Sequence, residues 1–139
     1  MKSCTRIILL TFALFVSAAK AQDSQLTSQA EASALRWLAL TDTGRFDQSW
    51  TEAAEMFQAN IAKAAWASAA ANARSPLGHV LSRKVRSAKY ARSLPGVPDG
   101  EYVVIQFETS FEKKVNATEL VTPVREKDGS WKVSGYFIK

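Results

Sequence analysis

Cysteine, histidine, glycine and proline are all scarce in this chain of 139 residues: one Cys, one His, six Gly and four Pro. A single cysteine closes no disulfide within the chain, and one His with one Cys builds no Cys/His zinc site. No glycine-rich phosphate loop, nucleophile elbow or metal-ligand spacing is found. Long hydrophobic runs are missing too. The apolar run from Ile7 to Val16 spans about ten residues, where a membrane-crossing helix needs ~20. Disorder of the whole chain is excluded by a composition of 47% hydrophobic and 22% charged residues. The length suits one domain, since domains cluster around ~100–150 residues.

What is present begins with an export-type leader. Lys2 and Arg6 make a basic start, the apolar run follows, and Ala19-Lys20-Ala21 fits the A-x-A pattern of a signal-peptidase site. Cleavage is expected before Gln22, giving a 1–21 signal peptide and a single domain over 22–139 that is periplasmic or secreted. Cys4 precedes the apolar run, so it is not a lipidated cysteine, and it departs with the leader. Lys2, Arg6 and Lys20 leave while all 13 acids stay, so the formal charge falls from +5 to +2. The cysteine-free remainder must draw its stability from its core.

From Gln25 to Arg74 the pattern is helical. Ser28 with Glu31 has capping-box spacing, and Ala30, Ala34, Trp37, Leu38 and Thr41 recur on one side up to Gly44, which predicts a helix over 28–43. Asp47 or Ser49 starts a second helix whose apolar side is Trp50, Ala53, Ala54 and Phe57. Asn60 is expected to cap a third, from Ile61 to about Ala73. Pro76 and Gly78 then break the helical period. Strands are expected over His79–Tyr90, Glu101–Phe111, Ala117–Arg125 and Trp131–Ile138, linked by a two-proline loop and by Asp-Gly turns. In the second strand Val103, Ile105, Phe107 and Phe111 fall on one face, and Tyr102, Val104, Gln106, Glu108 and Ser110 on the other. Helices grouped before strands indicate α+β: a three-helix layer on a curved four-stranded antiparallel meander.

Trp37-Leu38-Ala39-Leu40 through Trp50, Arg74-Ser75-Pro76-Leu77-Gly78, the loop from Leu94 to Val104 and the terminal Asp128 to Tyr136 together resemble the bacterial domain of unknown function 4019 family. The proline-glycine loop entering the second strand carries most of the resemblance. It implies small exported proteins or appended domains, with a layout similar to nuclear-transport-factor-2-like or cystatin-like folds. It brings no catalytic residues. The strand order here departs from the former fold, which interleaves a helix among its strands.

Candidate sites are few. His79 stands alone and is expected at a surface turn. Glu108 either faces water or lines a pocket if the outer sheet surface is concave. Arg83, Lys84, Arg86, Lys89 and Arg92 form the densest charge cluster, five cations in ten residues with Tyr90 nearby. Strict alternation splits it, Arg83 and Lys89 against Lys84, Arg86 and Arg92. With a charge of only +2 it is not expected to take nucleic acid, but Arg83, Lys84, Arg86 and Lys89 are candidates for an anionic lipid or envelope polymer. Trp37, Trp50, Phe107 and Trp131 either belong to a plain core or line a cavity for a small apolar ligand. No cofactor or metal is implied. The sequence thus points to an exported, non-catalytic binding module for an apolar ligand or envelope protein. Alternatives are an enzyme using Glu108 or His79, and a domain that dimerises through Tyr102, Val104 and Tyr136.

Overall fold

Between Phe12 and Asp42 the chain carries neither proline nor glycine, and it forms one continuous helix, α1 (Phe12–Asp42). The computed structural model describes residues 12–139, with side chains from Ala18 onward. The basic start, Cys4 and the first half of the apolar run lie outside the described residues. The helix expected to begin at Ser28 is therefore already under way there. A capping box is a local signal and does not interrupt a run of alanines and other good helix formers. Leu26, Ala30, Ser33, Ala34, Trp37, Leu38 and Thr41 are buried along one stripe, whereas residues 18–25 are exposed. Gly44, at φ 73°, supplies the left-handed stop, and the amide of Arg45 closes on the Leu40 carbonyl at 2.8 Å.

The second expected helix is two short ones, α2 (Phe46–Glu52) and α3 (Glu55–Asn60). Ala53 and Ala54 between them are extended, and the Ala54 amide donates to the Val133 carbonyl at 2.9 Å. A helix broken at that point lets its backbone pair with the sheet edge. Asn60 ends α3, its amide bonding back to the Met56 carbonyl at 2.7 Å, so it is not the cap of the next helix, α4 (Lys63–Arg74). A short 3-10 turn at Ser75–Leu77 leads into the strands.

Strands β1 (Val80–Ala91), β2 (Tyr102–Phe111), β3 (Lys114–Arg125) and β4 (Trp131–Ile138) form one antiparallel sheet in the order β1-β2-β3-β4. The molecule is α+β, a helical layer packed on a four-stranded meander. The inner face of β2 is as expected: Val103, Ile105, Phe107 and Phe111 are fully buried. Val103, Ile105 and Phe107 meet the α1 stripe, Phe57 of α3, Trp66 of α4, and Val121, Trp131 and Val133 of the sheet. Each large apolar side chain so buried contributes roughly 1.5–3 kcal/mol relative to exposure. A second cluster, Ala54, Tyr102 and Val124 with Met56 and Leu94, closes the end of the sheet beneath the two-proline loop. There Tyr102 donates its hydroxyl to the Pro98 carbonyl at 2.6 Å.

Two register shifts interrupt β1, one between Val80 and Ser82 and one between Val85 and Ser87. The second is a bulge at Arg86, and it reverses the alternation. Arg83 and Val85 face inward before it, opposite Thr109 and Phe107. Ala88 and Tyr90 face inward after it, opposite Ile105 and Val103.

Candidate functional site

Charged residues gather in two places. The first is inside the molecule, where α1 and α4 end over the inner sheet face. Asp42 is the last residue of α1, and Arg74 the last of α4, following Trp66 and Ala70 along one buried face at helical spacing. Arg83 of β1, Thr109 of β2, Glu119 of β3 and Tyr136 of β4 reach the same point from the sheet. Arg83 donates Nε to Glu119 Oε1 at 2.7 Å, Nη1 to Asp42 Oδ2 at 2.8 Å and Nη2 to Asp42 Oδ1 at 2.9 Å. Arg74 donates Nη2 to Asp42 Oδ1 at 2.7 Å and Nη1 to Thr41 Oγ1 at 2.9 Å, with its guanidinium 5.0 Å from the Phe111 ring centroid. Glu119 also accepts from Thr109 Oγ1 at 2.6 Å and from the Tyr136 hydroxyl.

Two guanidiniums face two carboxylates, so the knot is formally neutral. Burial alone would raise the Asp42 carboxyl, but hydrogen bonds from Arg83 and Arg74 outweigh it and hold the group below its ordinary value. Burial likewise disfavours a charged Arg83, and the hydrogen bonds to Asp42 and Glu119 more than restore it. The Tyr136 hydroxyl is driven up, first by burial and then by the neighbouring Glu119 charge. Glu119, 0% exposed, has both oxygens engaged. Through three donors on three other strands Glu119 ties the sheet together, and through Arg83 and Asp42 the arrangement joins helices to sheet.

The second gathering is on the outer face of the sheet. Lys84, Glu108 and Thr118 lie in one row across β1, β2 and β3, and Lys139 joins it by a reciprocal pair of backbone hydrogen bonds to Thr118, at 2.9 and 3.0 Å. The next row is Ser87, Gln106, Leu120 and Phe137, and Lys89 stands opposite Val104 beyond it. A groove of about 520 Å³ crosses this face, lined by Ser82, Lys84, Arg86, Glu108, Asn116 and Thr118 among others. Glu108 is 3.5 Å from Lys84 Nζ and 4.0 Å from Arg86 Nη1, one exposed carboxylate between two exposed cations.

The structure separates residues that the sequence groups. Lys84, Arg86 and Lys89 are exposed, and the bulge sends Lys89 to the outer face rather than to the side of Arg83. Arg83, taken from sequence as an anionic-surface contact, is 10% exposed in its side chain and bound into the knot. Trp37, Phe107 and Trp131 lie in the core, where Trp37 packs with Phe57, Trp66 and Tyr136 at ring centroid distances of 5.3–6.3 Å. Trp50 is half-buried, its Nε1 donating to the Ile61 carbonyl at 2.8 Å and Lys63 lying 5.3 Å over its ring. Trp37 and Trp131 line a common cleft of about 270 Å³, shared with Ser33, Arg36, Thr51 and Lys132.

His79 is 87% exposed in its side chain and Glu108 48%, so neither has the buried polar setting that acid or base catalysis would draw on. Tyr136 faces the core and Tyr102 is buried, so the face they were expected to share with Val104 is not assembled. Among the described residues no three His, Cys, Asp or Glu side chains converge as metal ligands, and no helix is long and apolar enough to cross a membrane.

Asp42, Arg74 and Glu119 escaped sequence reasoning as a site. The available signals were Glu119, a charge between inward-facing Ala117 and Val121, and Arg74, which continues the Trp66 and Ala70 face.

The fold defines a helices-then-meander α+β domain. The family described as "Protein of unknown function (DUF4019)" matches residues 33–136, and the chain belongs to it. No curated protein matches the chain. The matched span contains every residue of the buried knot.

Proposed function

We propose that this is an exported, non-catalytic binding module that holds an anionic partner in the bacterial cell envelope through the outer face of its sheet. The observation carrying this reading is the groove, where Lys84 and Arg86 stand among hydroxyl and amide side chains with Glu108 as the one carboxylate in its lining. Cations on a rigid sheet next to neutral hydrogen-bonding groups suit phosphate or carboxylate ligands. The leader sequence supports export, and among the described side chains of α1 the first buried one is Leu26, so the core makes little use of residues 18–25. Phe107 is closed into the core, and the cleft at Trp37 and Trp131 is about half the volume of the outer-face groove, which favours an anionic over an apolar ligand.

The test is retention on immobilised inorganic polyphosphate, comparing the chain with Lys84→Glu/Arg86→Glu. Salt-sensitive retention that the double variant loses is expected, and equal retention of the two proteins overturns the reading. N-terminal sequencing of the envelope fraction is expected to start at Gln22. A protein found only in the cytoplasm with Met1 intact removes the export half.

A further inference from the structure

We propose that the anionic partner is a phospholipid bilayer surface and that the outer sheet face lies flat against it. This rests on the anionic-ligand reading above and adds what the groove alone does not carry, an apolar stripe between two sets of cations. Leu120 and Phe137 form a cross-strand pair on the β3–β4 side of the face, with Val104 of β2 one row away. None of the three joins either packed cluster of the core. Phe137 is 55% exposed, an uncovered phenyl ring on the last strand, and Val115 at the rim of the groove is 63% exposed.

Cations flank the stripe on both sides. Lys84 and Lys139 end the row below it, the Lys139 ammonium 5.9 Å from the Phe137 ring centroid, and Lys89 stands above it on β1. Arg86 projects from the bulge between them, and Glu108 is the single carboxylate side chain in these rows. A soluble polyanion needs the cations but has no use for the phenyl ring. An interface between headgroups and acyl chains uses both, the ring entering the apolar boundary while the lysines meet phosphates. Pairing of β1 with a second copy is opposed by its own lysines, whose like charges would come together across the new seam.

The experiment is co-sedimentation of the exported form beginning at Gln22 with vesicles of phosphatidylglycerol and phosphatidylcholine, beside polyphosphate retention, for three proteins: unmodified, Lys84→Glu/Lys89→Glu and Phe137→Ser. Without the apolar leader, vesicle binding reads the folded domain alone. Matching thermal melts establish that the exposed substitutions leave the fold intact. The lysine variant is expected to lose at least tenfold in vesicle partitioning, since each cation near an anionic surface is worth about fivefold. Phe137→Ser is expected to lose vesicle binding while keeping polyphosphate binding. If Phe137→Ser binds vesicles as well as the unmodified chain, the bilayer is not the partner. Should the lysine variant lose polyphosphate but not vesicles, the bilayer proposal falls and the anionic-ligand reading stands; if it loses neither, both fall.

Discussion

Arg83 on β1 reaches Glu119 on β3 across the whole width of β2, with Nε 2.7 Å from Oε1, and Thr109 of the intervening strand bonds to the same oxygen. The inner face of the sheet is thereby laced at right angles to its strands. Asp42 extends the lacing to α1, and Arg74 extends it to α4.

Glu119→Ala is expected to destabilise the domain by about 3–5 kcal/mol, because it leaves the Arg83 guanidinium short of a partner and the Tyr136 hydroxyl proton without its acceptor in the interior. Urea unfolding measures this. The pair Arg83→Met and Glu119→Leu together should cost less than the sum of the two alone, with a coupling of about 0.5–3 kcal/mol. Strict additivity would mean that the two side chains do not act on each other.

Asp42 makes stability depend on acid. Its folded value lies below the ordinary 3.8, so its contribution is fully present above that pH and is lost as pH falls through the lower folded value. Stability of the unmodified chain should therefore drop steeply below about pH 4. Asp42→Asn should be weaker at neutral pH and flatter through the acid range. Parallel curves for the two proteins would show that Asp42 is not a linked group.

Ser49 is fully buried and serves both core tryptophans of the helical layer. Its carbonyl accepts from Trp37 Nε1 at 2.8 Å, and its hydroxyl accepts from Trp66 Nε1 at 2.9 Å while donating to the Phe46 carbonyl at 2.7 Å. Ser49→Ala strands the Trp66 indole N–H and should cost about 1–3 kcal/mol. Tryptophan fluorescence during urea unfolding reads both the loss and the altered surroundings of Trp66.

His79→Ala and Glu108→Gln are expected to change stability by no more than about 0.5 kcal/mol, as exposed positions with weak ion pairs do. A loss several times larger in either would show that its exposed setting misstates its role.

The α+β class was legible because the alternation of β2 and the helical period before Pro76 are both set by burial on one side, and burial leaves a mark on composition. Three features left no such mark. The break at Ala53 and Ala54 answers a carbonyl of Val133 nearly eighty residues on, and two alanines carry no sign of it. The early course of α1 was hidden because a good cap at Ser28 does not exclude a helix that passes through it. The knot was the hardest to see, since Asp42, Arg74 and Glu119 each have an ordinary local explanation until folding brings them within 3 Å of Arg83 or of one another. The basic run was readable as charge but not as a surface, because its sidedness turns on the bulge at Arg86.

That bulge makes the electrostatics of the domain a matter of counting. Were β1 to alternate regularly through Arg86, with composition and net charge unchanged, Lys89 would turn to the helix-facing side of the sheet and Tyr90 out to water. The basic character of the outer face is thus encoded in one extra residue of β1 as much as in its lysines.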